Sequence, residues 1–159
     1  MNITDWPTVA ELVGETLSDL SESLITTCPK ARIEIYSWSN AHFHLSMGLE
    51  VTWNPSDPEV EVLALSFFCP PDYPPVETFM SYLLRGDGSF LDKGLRQEFL
   101  GIEVMGECTE YWAWVSETVE KGIRWCRAQE ELMISVLRDY CGTVGLNPPG
   151  MSGVYRVDF

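Results

Sequence analysis

The first repeating pattern in the chain has the spacing of an amphipathic helix. Its apolar side chains recur every three or four positions, at Val9, Leu12, Val13, Leu17, Leu20 and Leu24. Thr8 followed by Glu11 has the form of a capping box, and Cys28-Pro29 ends the run. We therefore expect a helix over residues 9–26, with Thr8 as its N-cap.

Beyond residue 31 the pattern changes to alternation, which is typical of strands with one buried face. The clearest case spans residues 41–52, where every second side chain is apolar: Ala41, Phe43, Leu45, Met47, Leu49 and Val51. Residues 31–36 and 59–68 are predicted strands too, and turns separate the three at Ser39-Asn40 and at residues 54–58.

The middle of the chain is less regular. Pro75 suits the first position of a helix, so a short helix is predicted that buries Val76, Phe79, Met80 and Leu83. The turn residues Arg85-Gly86-Asp87-Gly88 end it. Residues 89–91 and 97–105 are predicted as two short strands, joined by a turn around Asp92-Lys93-Gly94.

A long helix is predicted from Thr109 to the Cys141-Gly142 stop. As one straight helix it would measure about 45 Å at 1.5 Å per residue, so we expect it to bend at Gly122 or to project from the domain. Trp114 and Trp125 lie off its main apolar stripe, which gives the helix a second apolar surface.

Together these elements predict a single α+β domain over residues 1–159. An antiparallel sheet of about five strands would be covered on one face by the N-terminal helix and the long C-terminal helix. Residues 143–159 are predicted as an irregular C-terminal arm, in which Val154-Tyr155-Arg156-Val157 can add an edge strand. The length of 159 residues and an apolar content of 45% suit one hydrophobic core.

The charge balance narrows the classes of partner. Ten Lys and Arg against 24 Asp and Glu give a formal net charge of −14, which argues against a nucleic-acid or membrane binder, because both need clustered cations. No apolar run is long enough to span a bilayer, and no signal peptide is recognisable, so we expect a cytoplasmic protein. The five cysteines form no CxxC pair and are expected to be free thiols in a reducing cytosol.

The acidic residues of the first predicted helix form the sharpest surface feature. Glu11, Glu15, Asp19 and Glu22 fall within about 80° of one another on an ideal helix, and no Lys or Arg precedes Lys30. Like charges at this spacing destabilise an isolated helix, so a role in attracting a basic partner would explain them. The alternative is a solvated face of an acidic protein. Glu59 and Glu61 extend the acidic field if they share a sheet face with Glu50.

Few residues suggest catalysis. His42 and His44 project to one face of a strand, as metal ligands sometimes do, but no third ligand is apparent. Nucleotide-binding glycine motifs are absent from the sequence. We therefore expect no catalytic residue, no metal and no cofactor, and a metal- or His-dependent enzyme that uses the two histidines stays as the rival hypothesis.

The order of the elements resembles that of the type III secretion chaperones. The resemblance covers roughly residues 8–141 and rests on Phe79-Met80-Ser81-Tyr82-Leu83-Leu84, on Gly88-Ser89-Phe90-Leu91 and on the Trp-containing final helix. It implies a small, acidic, often dimeric protein that holds a segment of another protein and catalyses nothing. The histidines of the second strand and the irregular arm depart from that family's pattern.

These observations lead to one functional hypothesis with an alternative. The chain is predicted to be a non-enzymatic module that masks a basic protein, as an immunity protein does, through the helix 1 acids, Glu59 and Glu61. Trp114 and Trp125, and also Trp38, are candidate aromatic anchors. The alternative is a secretion-chaperone-like holder of a partner segment, and a homodimer formed through the long helix stays open.

Overall fold

The computed structural model describes residues 2–40, 43–53, 60–69, 76–100, 109–141 and 152–158. These residues form three helices and six strands, so the predicted α+β class is confirmed, with six strands instead of about five. The elements in chain order are α1 (Trp6–Thr27), β1 (Arg32–Asn40), β2 (Phe43–Trp53), β3 (Val60–Cys69), β4 (Val76–Arg85), β5 (Phe90–Leu100), α2 (Thr109–Ala128), α3 (Glu130–Cys141) and β6 (Gly153–Asp158).

The six strands form one sheet in the order β5-β4-β3-β2-β1-β6. Neighbouring strands are antiparallel except β6, which lies parallel to β1 at the edge. The helices pack on one face of this sheet, with α1 against β1 and β2, α2 against β5 and α3 against β3. The core lies between the helices and this face, and we call the opposite face of the sheet the outer face.

Helix α1 begins earlier than its sequence predicts. The N-cap is Asp5, whose carboxylate accepts hydrogen bonds from the Thr8 backbone N–H at 2.8 Å and the Thr8 hydroxyl at 2.7 Å. These two bonds lower the pKa of the Asp5 carboxyl. Thr8 was the wrong cap because Asp5 supplies a carboxylate one turn earlier and Pro7 suits the first turn of a helix.

The predicted short helix that would begin at Pro75 is wrong, because residues 76–85 form strand β4. Phe79, Ser81 and Leu83 are buried, while Met80 and Tyr82 between them are half-exposed, which is the alternation of a strand. The helical spacing of the apolar residues was coincidental, and pairing with β3 and β5 on both sides decides the conformation. The Arg85-Gly86-Asp87-Gly88 segment is a hairpin turn, in which Gly88 has a φ of 86°.

The two short strands predicted after this turn are one continuous strand, β5. The expected turn around Asp92 is an irregularity within it, where the pairing with β4 shifts register. Gly94 takes a φ of 67° there and donates its backbone N–H to the Asp92 carboxylate at 2.7 Å. The residues of such a tight local turn are of the same types as those that end a strand, so the sequence alone does not distinguish the two. Residues 101–105 of the second predicted strand lie outside the described residues.

The long helix is divided, but not at Gly122. Gln129 separates α2 from α3, and Gly122 lies in the middle of α2. At Gly122 the helix approaches the sheet so closely that a Cβ would lie 2.6 Å from Cε2 of Phe67 and 3.1 Å from Cε1 of Phe79. The lack of a side chain at Gly122 thus allows helix α2 to pack closely on the sheet. The predicted edge strand near the C-terminus is confirmed as β6, and residues 143–151 and Phe159 of the predicted arm lie outside the description.

Replacing Gly122 by Ala should destabilise the protein although Ala favours helices. We expect the free energy of unfolding to fall by about 1–3 kcal/mol, because the new methyl group overpacks the contact with Phe67 and Phe79. The matched control is Gly14→Ala in α1, where the new Cβ meets only Cε of Met47 at 3.6 Å. That variant should gain about 0.5–1 kcal/mol. Denaturant unfolding measures both, and a gain in both variants would contradict the close packing.

Candidate protein-binding surface

The two faces of α1 divide sharply into buried apolar and exposed acidic side chains. The buried set is Val9, Val13, Leu17, Leu20 and Leu24. Glu11, Glu15, Asp19 and Glu22 are all exposed on the opposite side, as the sequence predicts, and we call these four residues the acidic stripe. Because Asp5 caps the helix, Glu11 is not engaged in a capping box.

One member of the acidic stripe is paired within the molecule. The Asp19 carboxylate lies 3.0 Å from Nη1 of Arg127 on α2, and both side chains are more than half exposed. Among the described residues, no Lys or Arg nitrogen lies within 4.0 Å of the carboxylates of Glu11, Glu15 or Glu22. Three of the four negative charges are therefore uncompensated by a contact within the described structure.

A groove of about 560 Å³ runs between the acidic stripe and the end of the sheet that carries β6. Small residues on α1 leave room for it, and its walls combine acidic, hydroxyl and apolar groups. The lining residues are Ala10, Glu11, Gly14, Glu15, Ser18, Asp19, Ile35, Ser37, Met47 and Arg156. We call it the β6-side groove. Arg156, from β6, donates a hydrogen bond from its guanidinium to the Ser18 hydroxyl.

A second groove, also of about 560 Å³, lies on the other side of the stripe, against α3. Its lining residues are Asp19, Glu22, Ser23, Thr26, Glu130 and Ile134. Three carboxylates and two hydroxyls surround one apolar side chain, and we call it the α3-side groove. Carboxylates and hydroxyl oxygens accept hydrogen bonds, so both grooves suit the N–H donors of lysine or arginine side chains.

Glu61 lies on a different surface from the acidic stripe. Glu61 is opposite Thr52 in the ladder, and Thr52 lies two residues from Glu50 on β2, where Glu50 is opposite Glu34. Because alternate residues of a strand face the same side, Glu61 and Glu50 share the outer face of the sheet. Burial raises the pKa of the Glu50 carboxyl, and the charges of Glu61 and Glu34 raise it further. Since α1 covers the other face, these acids form a separate patch and do not extend the stripe. Glu59 lies outside the described residues.

The two predicted aromatic anchors are placed against the core. Trp114 is half-buried, with its ring centroid 5.4 Å from that of Phe99 and 6.1 Å from that of Tyr111. Trp125 is also half-buried, and its indole N–H is buried without a hydrogen-bond partner among the described residues. The structure thus places both tryptophans in the helix layer, and their role as anchors stays a prediction. The side chain of Trp38 lies outside the description.

The residues considered for catalysis give no site within the described structure. His42 and the side chain of His44 lie outside it, and no group of three or more His, Cys, Asp or Glu among the described residues is arranged to hold a metal ion. Cys69 and Cys126 are buried free thiols, and burial raises the pKa of Cys126 to about 12. Neither thiol has the exposed, electropositive surroundings that activate a nucleophile.

The prediction that the cysteines are free thiols is wrong for Cys28. This residue follows the last turn of α1 and is disulfide-bonded, to a cysteine whose side chain lies outside the description. The absence of a CxxC pair says nothing about a bridge between distant positions, which only the fold brings together. Disulfides persist mainly in oxidising compartments. The cytoplasmic location therefore stays a prediction, and the disulfide bond of Cys28 is an argument against it.

Sequence reasoning missed an aromatic surface on the outer face. Phe68, Tyr82 and Phe90, on β3, β4 and β5, form a row with ring centroids 5.9 Å and 6.1 Å apart. Phe90 is 56% exposed, which is unusual for so large an apolar side chain. We call these three residues the aromatic row. Met80, Tyr82 and Leu84 are apolar or aromatic at every second position, which is a pattern that predicts a strand with such a face. This pattern was not used, because a helix was predicted for the same residues.

Replacing Glu50 by Gln should stabilise the protein at neutral pH. Its carboxyl has a raised pKa in the folded state, so the charged form is disfavoured by folding, and this penalty develops as the pH rises above about 4.5. We expect roughly 0.2–1 kcal/mol more unfolding free energy at pH 7, because burial and the charges of Glu61 and Glu34 both disfavour the charged carboxyl. The gain should vanish at acidic pH. A gain that persists unchanged at low pH would mean that charge is not the cause, and Glu131→Gln, at an exposed site, serves as the control.

The thiols should differ in their reaction with an alkylating agent. At pH 8 only about one Cys126 side chain in ten thousand is a thiolate if its pKa is about 12, so the folded protein should leave Cys126 unmodified. Buried Cys69 should also be protected. Both should react in denaturant without a reductant, while Cys28 should react only after reduction. Peptide mass spectrometry identifies each site, and alkylation of Cys28 in unreduced denatured protein would contradict the disulfide.

The chain matches no protein-family model, no curated protein and no solved structure. The resemblance to type III secretion chaperones accordingly stays a prediction from the order of the elements. Among the described residues, no helix is both long enough and apolar enough to cross a lipid bilayer.

Proposed function

We propose that this protein is a non-enzymatic binding module that masks a basic protein, as an immunity protein does, and that the acidic stripe is its contact surface. The observation that carries the proposal is that three of the four stripe carboxylates are exposed and without an ion-pair partner among the described residues, with an acid-lined groove on each side. A surface of this kind carries an excess of negative charge and attracts cations.

The like charges of the stripe destabilise helix α1, and this supports a functional origin for them. Like charges four residues apart destabilise a helix by about 0.2–0.5 kcal/mol per pair, and both Glu11–Glu15 and Glu15–Asp19 have this spacing. Helix α1 carries four acidic residues and no basic one over its 22 residues. By contrast, α2 contains the compensating pairs Glu117–Lys121 and Glu120–Arg124. Of the three described helices, α1 alone carries no basic residue, so its charge can steer a cationic protein.

The two grooves place apolar side chains next to the carboxylates of the acidic stripe. A lysine or arginine has an aliphatic stem and a charged end, and it binds best where apolar atoms line the depth of a site and acceptors line its rim. In the β6-side groove, Ile35 and Met47 are almost completely buried, while Glu11 and Glu15 are exposed. The α3-side groove offers Ile134 beside Glu22 and Glu130. Both therefore suit single basic side chains of a protein partner.

The test compares two double variants that remove the same charge. Glu11→Gln with Glu15→Gln removes two stripe carboxylates, while Glu117→Gln with Glu131→Gln removes two exposed acids from α2 and α3 that line neither groove. Proteins from a native extract are captured on each immobilised variant at low salt. We expect the stripe variant to bind the captured partner about tenfold more weakly or worse, and the control to stay within about twofold of the wild type.

The salt dependence completes the test. Binding through exposed charges is screened, so the partner of the wild-type protein should dissociate as ionic strength rises. An identified partner that is not basic, that is retained unchanged at molar salt, or that binds both double variants equally would contradict the proposed function.

The aromatic row favours a second candidate, a holder of an apolar segment of another protein. Phe90 is 56% exposed beside Tyr82, on a sheet face over which no described helix packs. In the same capture experiment, Phe90→Ser would then release the partner while the stripe variant retains it. The opposite result supports the first candidate.

A further inference from the structure

The geometry points to an autoinhibitory contact, in which Arg156 of strand β6 places its positive charge at the wall of the β6-side groove and competes there with a partner's basic side chain. This inference rests on the proposed function, because it assumes that the β6-side groove receives a cation. It adds that the chain's own arginine already lies beside the groove and that β6 must move for a partner to bind fully.

The position of Arg156 is the first observation. Arg156 lines the β6-side groove together with Glu11, Glu15 and Asp19, and its guanidinium donates a hydrogen bond to the Ser18 hydroxyl. Ser18 and Arg156 are 138 positions apart in sequence, so only the pairing of β6 with β1 brings them together. The wall of the groove thus carries a positively charged side chain of the type that the proposed partner would supply.

The weak anchoring of β6 is the second observation. It is an edge strand of six residues, and none of its described side chains is buried: Val154 and Arg156 are exposed, and Tyr155 and Val157 are half-buried. The strand is held by its backbone ladder to β1, by Arg156 and by a contact of the Arg32 guanidinium with the Tyr155 ring at 4.7 Å. Elements with few buried apolar contacts open at low free-energy cost.

Arg127, the other arginine on the stripe, makes the contrast clear. It pairs with Asp19 from within α2, a helix whose Val119 and Cys126 are in the core, so its backbone cannot move away without disturbing the packing. Arg156 can leave with a strand that buries no described side chain. A partner with a basic side chain on an extended segment could therefore take both the groove and the place of β6 beside β1.

The experiment measures the affinity of an oligo-arginine peptide for Arg156→Gln and for the control Arg124→Gln at low ionic strength. Both variants lose one positive charge, and Arg124 is exposed on α2, where its contact is with Glu120 at 3.3 Å. If Arg156 competes with the peptide, its removal should tighten binding about threefold to tenfold relative to Arg124→Gln, because the groove wall no longer carries a competing positive charge. Equal affinities of the two variants would overturn the autoinhibitory contact.

Hydrogen exchange of the wild-type protein gives an independent readout. Saturating peptide should accelerate the exchange of β6 backbone amides while the amides that pair β1 with β2 stay protected, since the peptide and β6 compete. Unchanged or slowed exchange in β6 would overturn the inference. The two proposals fail differently: a wild-type protein that does not bind the peptide at all contradicts the proposed function, whereas binding without any effect of Arg156 contradicts only the inference.

Discussion

The packing of the apolar face of α1 on β1 and β2 fixes the surface of the molecule. Burial of Val9, Val13 and Leu17 places the acidic stripe outward, because residues on opposite sides of one helix cannot both face the core. The same packing forms one wall of the two grooves that flank the stripe. Hydrophobic burial thus holds in place a set of charges that the isolated helix would not favour.

Two acidic surfaces of the described structure have different surroundings. The stripe on α1 has exposed carboxylates, whereas Glu50 on the outer face is partly buried and has a raised pKa. Glu34, beside Glu50 in the ladder, is paired with Arg32 at 2.7 Å. The stripe therefore offers charge to a partner more readily, and the outer face is defined more by Phe68, Tyr82 and Phe90 than by its acids.

Elements with a long, regular pattern were predictable from the sequence, and so was the stripe. Helix α1 and strands β1, β2 and β3 follow from the spacing of their apolar residues, and the edge strand β6 from four residues near the C-terminus. The helix predicted to begin at Pro75 failed because tertiary pairing with β3 and β5 outweighed a short local pattern. The role of Gly122 depends on the distance between helix and sheet, which no local pattern encodes. Nothing in the local pattern marks Gln129 as the point where the long helix divides.

The candidate site was predictable only in part, for a related reason. The stripe residues lie on one helix, so their spacing shows that they share a face. Arg127 and Arg156 reach that face from 108 and 138 positions away, and neither contact has a local signal. The β6-side groove likewise needs the packing of α1, β1, β2 and β6, and the α3-side groove that of α1 and α3. The sequence thus identified the acidic residues of the stripe, but not the arginines and grooves that lie beside them.

The most direct test of the account follows the side-chain carboxyl carbons of the glutamates by NMR during titration with the captured basic partner. The carboxyl signals of Glu11, Glu15 and Glu22 should shift together with the progress of binding, while those of Glu50 and Glu61 on the outer face stay unchanged. Shifts confined to the outer face and to the rings of Phe68, Tyr82 and Phe90 would contradict the assignment of the stripe as the contact surface.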